Sequence, residues 1–158
     1  MQLYFLRHGQ AEFGSGIADH DRKLTPRGVQ RTQTAGRVMA ALDLGVTHIF
    51  SSPRLRALQT AEIVAEALGL RVDIRDEVNF GFDAAAVQRL TDGLPDDANV
   101  MFVGHEPDMS AVVGAFTGGL VEMKKGGLAR IHLDQPGSAR GYLVWLITPK
   151  VFDALGQA

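Results

Sequence analysis

The sequence predicts an α/β protein: a three-layer α/β/α sandwich around a mainly parallel, mixed central sheet. Three observations predict it. Short apolar runs rich in β-branched and aromatic residues alternate with longer stretches whose apolar residues recur every three to four positions. Capping hydroxyls followed by proline mark helix starts, and glycines mark helix ends. No repeat, low-complexity segment or linker divides the 158 residues, so one domain over 1–158 is expected. Such alternation places helices on both faces of a parallel sheet.

The first strand, Leu3-Tyr4-Phe5-Leu6, stops at Arg7-His8-Gly9, which sets a cation and an imidazole where a buried strand opens into a tight loop. Open parallel sheets present ligand-binding groups beyond the carboxyl ends of their strands. Thr25-Pro26 reads as an N-cap with proline at the first helical position; Val29, Thr32, Ala35, Met39 and Leu42 keep helical spacing until Gly45. A strand is expected over Val46 to Phe50. Ser52-Pro53 repeats the cap-and-proline start, and Leu55, Leu58, Ile63, Ala67 and Leu68 form a helix that Gly69 closes. Strand Arg71 to Arg75, a helix near Ala84 to Leu90 and strand Asn99 to Val103 follow. Gly104-His105 is another strand-to-helix switch, and Pro107 opens a helix reaching about Phe116. The last third holds two strands, Leu128 to Leu133 and Tyr142 to Thr148, whose pairing would make the sheet mixed.

A domain of about 150 residues buries roughly 68–70% of the surface its unfolded chain exposes, so this core needs no covalent staples. Cysteine is absent, which excludes disulfides, thiolate metal sites and a cysteine nucleophile, and is compatible with a reducing compartment. The formal charge of −2 lacks the basic excess of a nucleic-acid binder, and no apolar stretch approaches the roughly 20 residues of a membrane span. The expectation is a soluble, cytoplasmic protein with neither a nucleic-acid nor a membrane partner.

Three strand ends carry groups suited to a phosphoryl group: Arg7 with His8, the segment from Ser52 to Arg56, and Gly104-His105. A planar guanidinium donates two parallel hydrogen bonds to a phosphate and stays charged at all working pH, so two arginines on one dianion make a strong clamp. Arg56 lies about one helical turn beyond Ser52, where orphan amides and the positive helix end add attraction for an anion.

Taken in order, these residues resemble the histidine phosphatase superfamily, also called the phosphoglycerate mutase-like family. Arg7-His8-Gly9-Gln10-Ala11 resembles its opening motif and Leu24-Thr25-Pro26-Arg27-Gly28 its Leu-Thr-x-x-Gly helix start. The run from Ser52 to Thr60 resembles its Ser-Pro-x-x-Arg-x-x-Gln-Thr segment, and Val103-Gly104-His105-Glu106-Pro107 its late histidine motif. The resemblance implies that His8 is a nucleophile phosphorylated on a ring nitrogen, with Arg7, Arg56 and His105 binding the phosphoryl oxygens. It implies neither a metal nor another cofactor. Asp76-Glu77-Val78-Asn79-Phe80-Gly81 partly resembles the Glu-x-x-x-Gly segment of relatives that protonate a leaving oxygen, which makes Glu77 the candidate for proton transfer.

Size narrows the subgroup, because larger members carry insertions for which this chain has little room. It most resembles the compact SixA-type phosphohistidine phosphatases, and the implied substrate is a phosphorylated histidine on a signalling or phosphotransfer protein. A phosphomonoesterase or mutase acting on a small phosphorylated metabolite is the alternative within enzymes. A non-catalytic module that binds phosphorylated ligands is the alternative outside them. Arg54 reads as a solvated helix residue and Lys124-Lys125 as an exposed loop. His20, His48 and His132 match no motif, and Asp19-His20-Asp21 would suggest a metal site only with further ligands. Substrate discrimination is expected in the loops Glu12 to Lys23 and Phe80 to Ala86.

Overall fold

A computed structural model describes residues 1–158. Its strands are β1 (Gln2–Arg7), β2 (His48–Ser51), β3 (Val72–Ile74), β4 (Asn99–Gly104), β5 (Leu128–Leu133) and β6 (Gly141–Ile147). The helices are α1 (Pro26–Ala41), α2 (Leu55–Leu68), α3 (Ala84–Thr91), α4 (Asp108–Thr117) and α5 (Pro149–Leu155), with 3-10 turns at Asp19–Asp21 and Asp76–Val78. The strands form one sheet in the order β3-β2-β4-β1-β5-β6. The pairs β1–β4, β2–β4 and β2–β3 are parallel, whereas β5 runs antiparallel to both β1 and β6. The sheet is mixed, as pairing in the last third predicts.

Side chains of successive strand residues point to opposite faces, and the two cores divide accordingly. Leu3 and Phe5 of β1 join Val100 and Phe102 of β4 in a core shared with α3 and α4. Tyr4 and Leu6 join Met101 and Val103 in the other, shared with α1, α2 and α5. The chain therefore leaves β1 toward one face and leaves the neighbouring β4 toward the other. Adjacent strands whose connections diverge in this way open a crevice at their carboxyl ends. Beneath it, Phe5, Phe82 and Phe102 pack with ring centroids 5.3–6.5 Å apart, which fixes both strands from below.

Local signals place most elements. Thr25 caps α1, its hydroxyl accepting from the Gly28 amide at 3.0 Å. Gly69 closes α2 in the left-handed conformation, with φ of 68°. α1 stops at Ala41, short of Gly45, and β3 is only three residues long. α2 begins at Leu55, not directly after Ser52, because the Ser52 amide still bonds the Val103 carbonyl of the sheet at 3.0 Å. Neither α5 nor the two 3-10 turns was expected. Thr148-Pro149 carries the same hydroxyl-then-proline signature as Thr25-Pro26, on a helix of seven residues. Phe152 is buried from α5 against the core, and Asp153 pairs with Arg31 of α1. No helix is long and apolar enough to cross a membrane.

Candidate active site

Register brings the strand ends together. Arg7 is opposite Gly104 in the β1–β4 pair, and Ser51 is opposite Val103 in the β2–β4 pair. Residues just beyond these positions therefore meet: His8 from β1, Ser52 and Arg56 from the β2–α2 junction, and His105 from β4. The His8 amide continues the ladder by donating to the Gly104 carbonyl at 3.0 Å. His8, Arg56 and His105 are 6%, 4% and 2% exposed, and the two imidazole centroids lie 5.3 Å apart.

The hydrogen bonds determine how each ring presents itself. His8 Nδ1 lies 2.7 Å from the Gly9 carbonyl oxygen. A carbonyl only accepts, so Nδ1 carries the proton and Nε2 keeps its lone pair. Arg56 Nε–H points at that Nε2 from 3.3 Å. Burial is the largest cause of a depressed His8 pKa, lowered to about 4, and the nearby Arg56, Arg7 and Lys125 charges push the same way. His105 is lowered to about 3, again chiefly by burial, with His8, Arg56 and Arg54 adding to it. Both rings are neutral at pH 7.

His105 Nε2 lies 2.8 Å from the Ser52 hydroxyl, whose oxygen accepts from the Arg54 amide at 3.3 Å. His105 Nδ1 is buried and has no protein partner. Arg7 is half-buried; its Nη1 donates to the Met123 carbonyl at 2.8 Å, and its buried Nε has no partner. The motif residues also bind one another. Thr60 Oγ1 accepts from the Gly9 amide at 3.0 Å, and Gln59 Oε1 accepts from the Leu24 amide at 2.8 Å. A Cβ on Gly28 would lie 2.1 Å from the Gln10 carbonyl oxygen, so only glycine lets the loop after His8 lie on the start of α1.

The structure thus gathers His8, Arg56 and His105 directly, with Arg7 close enough to depress the His8 pKa. Glu77 lies in the 3-10 turn at Asp76–Val78, exposed, with no hydrogen bond or ion pair to the other four. Several residues of the site escaped the sequence. Asp19 Oδ2 bridges Arg54 Nη1 at 2.6 Å and Arg56 Nη2 at 3.2 Å, its Oδ1 takes Arg22 at 3.0 Å, and its backbone carbonyl takes Arg56 Nη1 at 2.8 Å. Hydrogen bonds and charges from these arginines hold its carboxyl below the usual range against a desolvation penalty that raises it. Of the Asp19-His20-Asp21 cluster, Asp19 is engaged with guanidiniums while His20 and Asp21 contact each other, and no group of three or more His, Asp or Glu is placed to hold a metal.

Arg54 is not a free solvated residue. Its guanidinium stacks 3.8 Å from the Phe80 ring centroid and its Nε donates to Asn79 at 2.7 Å. Phe80, half exposed at the mouth, meets His105 edge-on at 4.9 Å. Lys125 stands near His8 and 5.3 Å over the exposed Phe13 ring, so the segment read as a plain loop borders the site.

A family model of the histidine phosphatase superfamily (branch 1) matches residues 3–81. An uncharacterized protein of Picosynechococcus sp. is 36% identical over 150 residues, covering 89% of this chain and 88% of that one. A probable phosphoglycerate mutase GpmB of Salmonella arizonae is 38% identical over 72 residues, 44% of this chain and 33% of that one. Among solved structures, the protein histidine phosphatase SixA complexed with tungstate superposes with a TM-score of 0.84 at 26% identity, covering 96% of this chain and 99% of that one. The match over β1, α1, β2 and α2, which carry Arg7, His8 and Arg56, settles the lineage: the chain belongs to the histidine phosphatase superfamily.

Proposed function

We propose that this protein is a metal-independent phosphohistidine phosphatase, acting on a phosphorylated histidine of a phosphotransfer or signalling protein through a covalent intermediate on His8. The observation that carries the reading is the neutral, buried His8 whose Nε2 lone pair faces Arg56 while Nδ1–H is held by Gly9. A nucleophile so fixed needs no base to activate it.

In the first transfer, His8 Nε2 attacks phosphorus and the bond from phosphorus to the substrate imidazole nitrogen breaks, its electron pair leaving on that ring, which departs as neutral imidazole because its other nitrogen already carries a proton. The proton stays on His8 Nδ1, and its hydrogen bond to the Gly9 carbonyl oxygen stabilises the cationic phosphoimidazole. Charge moves onto the equatorial oxygens, where Arg56 and the unpartnered Arg7 Nε–H are donors at hand, joined by His105 in the tautomer that carries its proton on the unpartnered Nδ1. Water then attacks the phosphohistidine, phosphate departs, and His8 Nε2 recovers its lone pair. Fixed guanidiniums supply the positive charge throughout, and an imidazole leaving group needs no strong acid. The whole chain, 1–158, acts as one domain, and the absence of cysteine suits a cytoplasmic setting.

Wild-type protein should release phosphate from a phosphorylated histidine-containing phosphotransfer domain and trap an acid-labile adduct on His8; His8→Ala should do neither. Equal turnover by the two proteins would reject the assignment. The similarity to GpmB favours a second reading, a phosphomonoester substrate. That chemistry requires a proton donor, the role left to Glu77.

A further inference from the structure

The proposed mechanism asks Arg7 to aim its guanidinium at the phosphoryl group, yet Arg7 has little to aim it. Its side chain makes one hydrogen bond, from Nη1 to the Met123 carbonyl at 2.8 Å, while its buried Nε has no partner. That carbonyl belongs to an irregular stretch between α4 and β5. A long side chain steered by a loop carbonyl is only as well oriented as the loop.

The orientation of that loop is traceable atom by atom. The Met123 amide donates to Ser110 Oγ at 3.0 Å. Ser110 Oγ in turn donates to Glu106 Oε2 at 2.6 Å, and the Ser110 amide donates to Glu106 Oε1 at 2.9 Å. A backbone amide only donates, so a lone pair of Ser110 Oγ faces Met123 and the hydroxyl proton points at Glu106. Both oxygens of Glu106 are thus committed to Ser110, in the first turn of α4. The Met123 side chain is fully buried, which pins the same residue from its other side. Glu106 also supplies the largest opposing charge to the burial that lowers the Arg7 pKa.

We infer that Glu106 and Ser110 are positioning residues for Arg7: through the Met123 peptide they fix the direction in which its guanidinium fork faces the phosphoryl site. The residue that follows one site imidazole thereby orients the cation that precedes the other. The inference rests on the reading above that Arg7 holds the phosphoryl group.

Ser110→Ala removes the hydroxyl that accepts from Met123, and misplacement of a binding group by about 1 Å costs on the order of a hundredfold. With part of the loop still held by the buried Met123, we expect kcat/KM on a phosphoramidate and affinity for inorganic phosphate to fall together by about tenfold. Ser110→Thr keeps the hydroxyl and should stay within about twofold of wild type. Glu106→Gln should lose about threefold, because its amide lets the hydroxyl reverse. The deciding arm is a double-mutant cycle: in an Arg7→Ala background, Ser110→Ala should cost less than about twofold.

Equal losses in the two backgrounds would show a general structural role and overturn the inference, as would full phosphate affinity in Ser110→Ala. Thermal midpoints of each variant separate unfolding from misorientation. If the unaltered protein fails to turn over any phosphoramidate, the phosphatase reading falls while the phosphate-affinity arm still decides this inference.

Discussion

The floor of the site and its rim are held by different forces. His8, Arg56 and His105 stand at strand ends whose backbone is fixed by the parallel ladder, and they are almost wholly buried. Asp19, Arg22, Arg54, Phe13 and Phe80 stand on irregular segments above them and are joined by ion pairs and cation–π stacking. Half of the Asp19 side chain faces water, and exposed ion pairs contribute about 0–1 kcal/mol each. Burial of the floor instead shifts two imidazoles far from their ordinary pKa. On the proposed function, chemistry falls to the rigid layer, and the weaker, salt-sensitive layer is left to govern access and choice of substrate.

The largest expected contrast is between two arginines two positions apart. Arg56→Ala removes donors aimed at the charge that develops in transfer and should lower kcat/KM by about 10²–10³. Arg54→Ala, which removes a rim contact, should cost at most about tenfold. Comparable losses in a phosphoramidate assay would erase the distinction between floor and rim.

Acid should attack the floor before the rim. The unfolded chain has histidines of ordinary pKa near 6.5, whereas folded His8 and His105 are lowered to about 4 and about 3. Between those values the unfolded state binds more protons, so stability falls as pH drops from about 6.5 toward 4, by on the order of 3 kcal/mol for His8 alone. Urea midpoints across that window should fall steeply in wild type and less steeply in His8→Asn. A parallel slope in the two proteins would mean that His8 is not buried neutral.

Legibility divides along the same line. The floor was readable because strand ends and motif spacing are local: Arg7-His8-Gly9, Arg56 and Gly104-His105 each mark a junction that the sheet then brings together. Asp19 was not, since its meaning comes from three guanidiniums that only the folded loop gathers. Ser52 looked like a helix cap, but α2 starts later, with Arg54 at its N-cap and no side-chain cap bond; the Ser52 hydroxyl oxygen instead accepts from the Arg54 amide and bonds His105 Nε2. Glu77 kept its place in a motif and yet lies exposed in a 3-10 turn. α5 carried a readable cap at Thr148-Pro149 but only two turns of apolar spacing, too few to stand out.

At the rim, Asp19→Asn removes a negative charge that competes with phosphoryl oxygens for Arg54 and Arg56. Inhibition by inorganic phosphate should tighten about threefold at low salt, within the range of an exposed pair, and the gain should shrink near 1 M salt. Phosphate affinity unchanged at low salt would remove Asp19 from the competition. A smaller loss, about two- to threefold in kcat/KM, is expected for Phe80→Ala, which gives up one exposed cation–π contact with Arg54 and an edge contact with His105.

The smallest effect is expected at Glu77, and it separates the two enzymatic readings. Its carboxyl is exposed and bonded to none of the floor residues. Phosphohistidine with a proton on its other ring nitrogen releases a neutral imidazole that needs no further proton, so Glu77→Gln should change its turnover by less than about twofold. An alkyl phosphate releases a far more basic oxygen, and general acid help there contributes about 10²–10⁴. If Glu77 reaches the leaving oxygen of such a substrate, Glu77→Gln will lose phosphomonoester turnover by that order while sparing phosphoramidates. Equal indifference on both substrates would leave the floor alone as the catalyst; equal loss on both would place Glu77 within it and end the separation between the two layers.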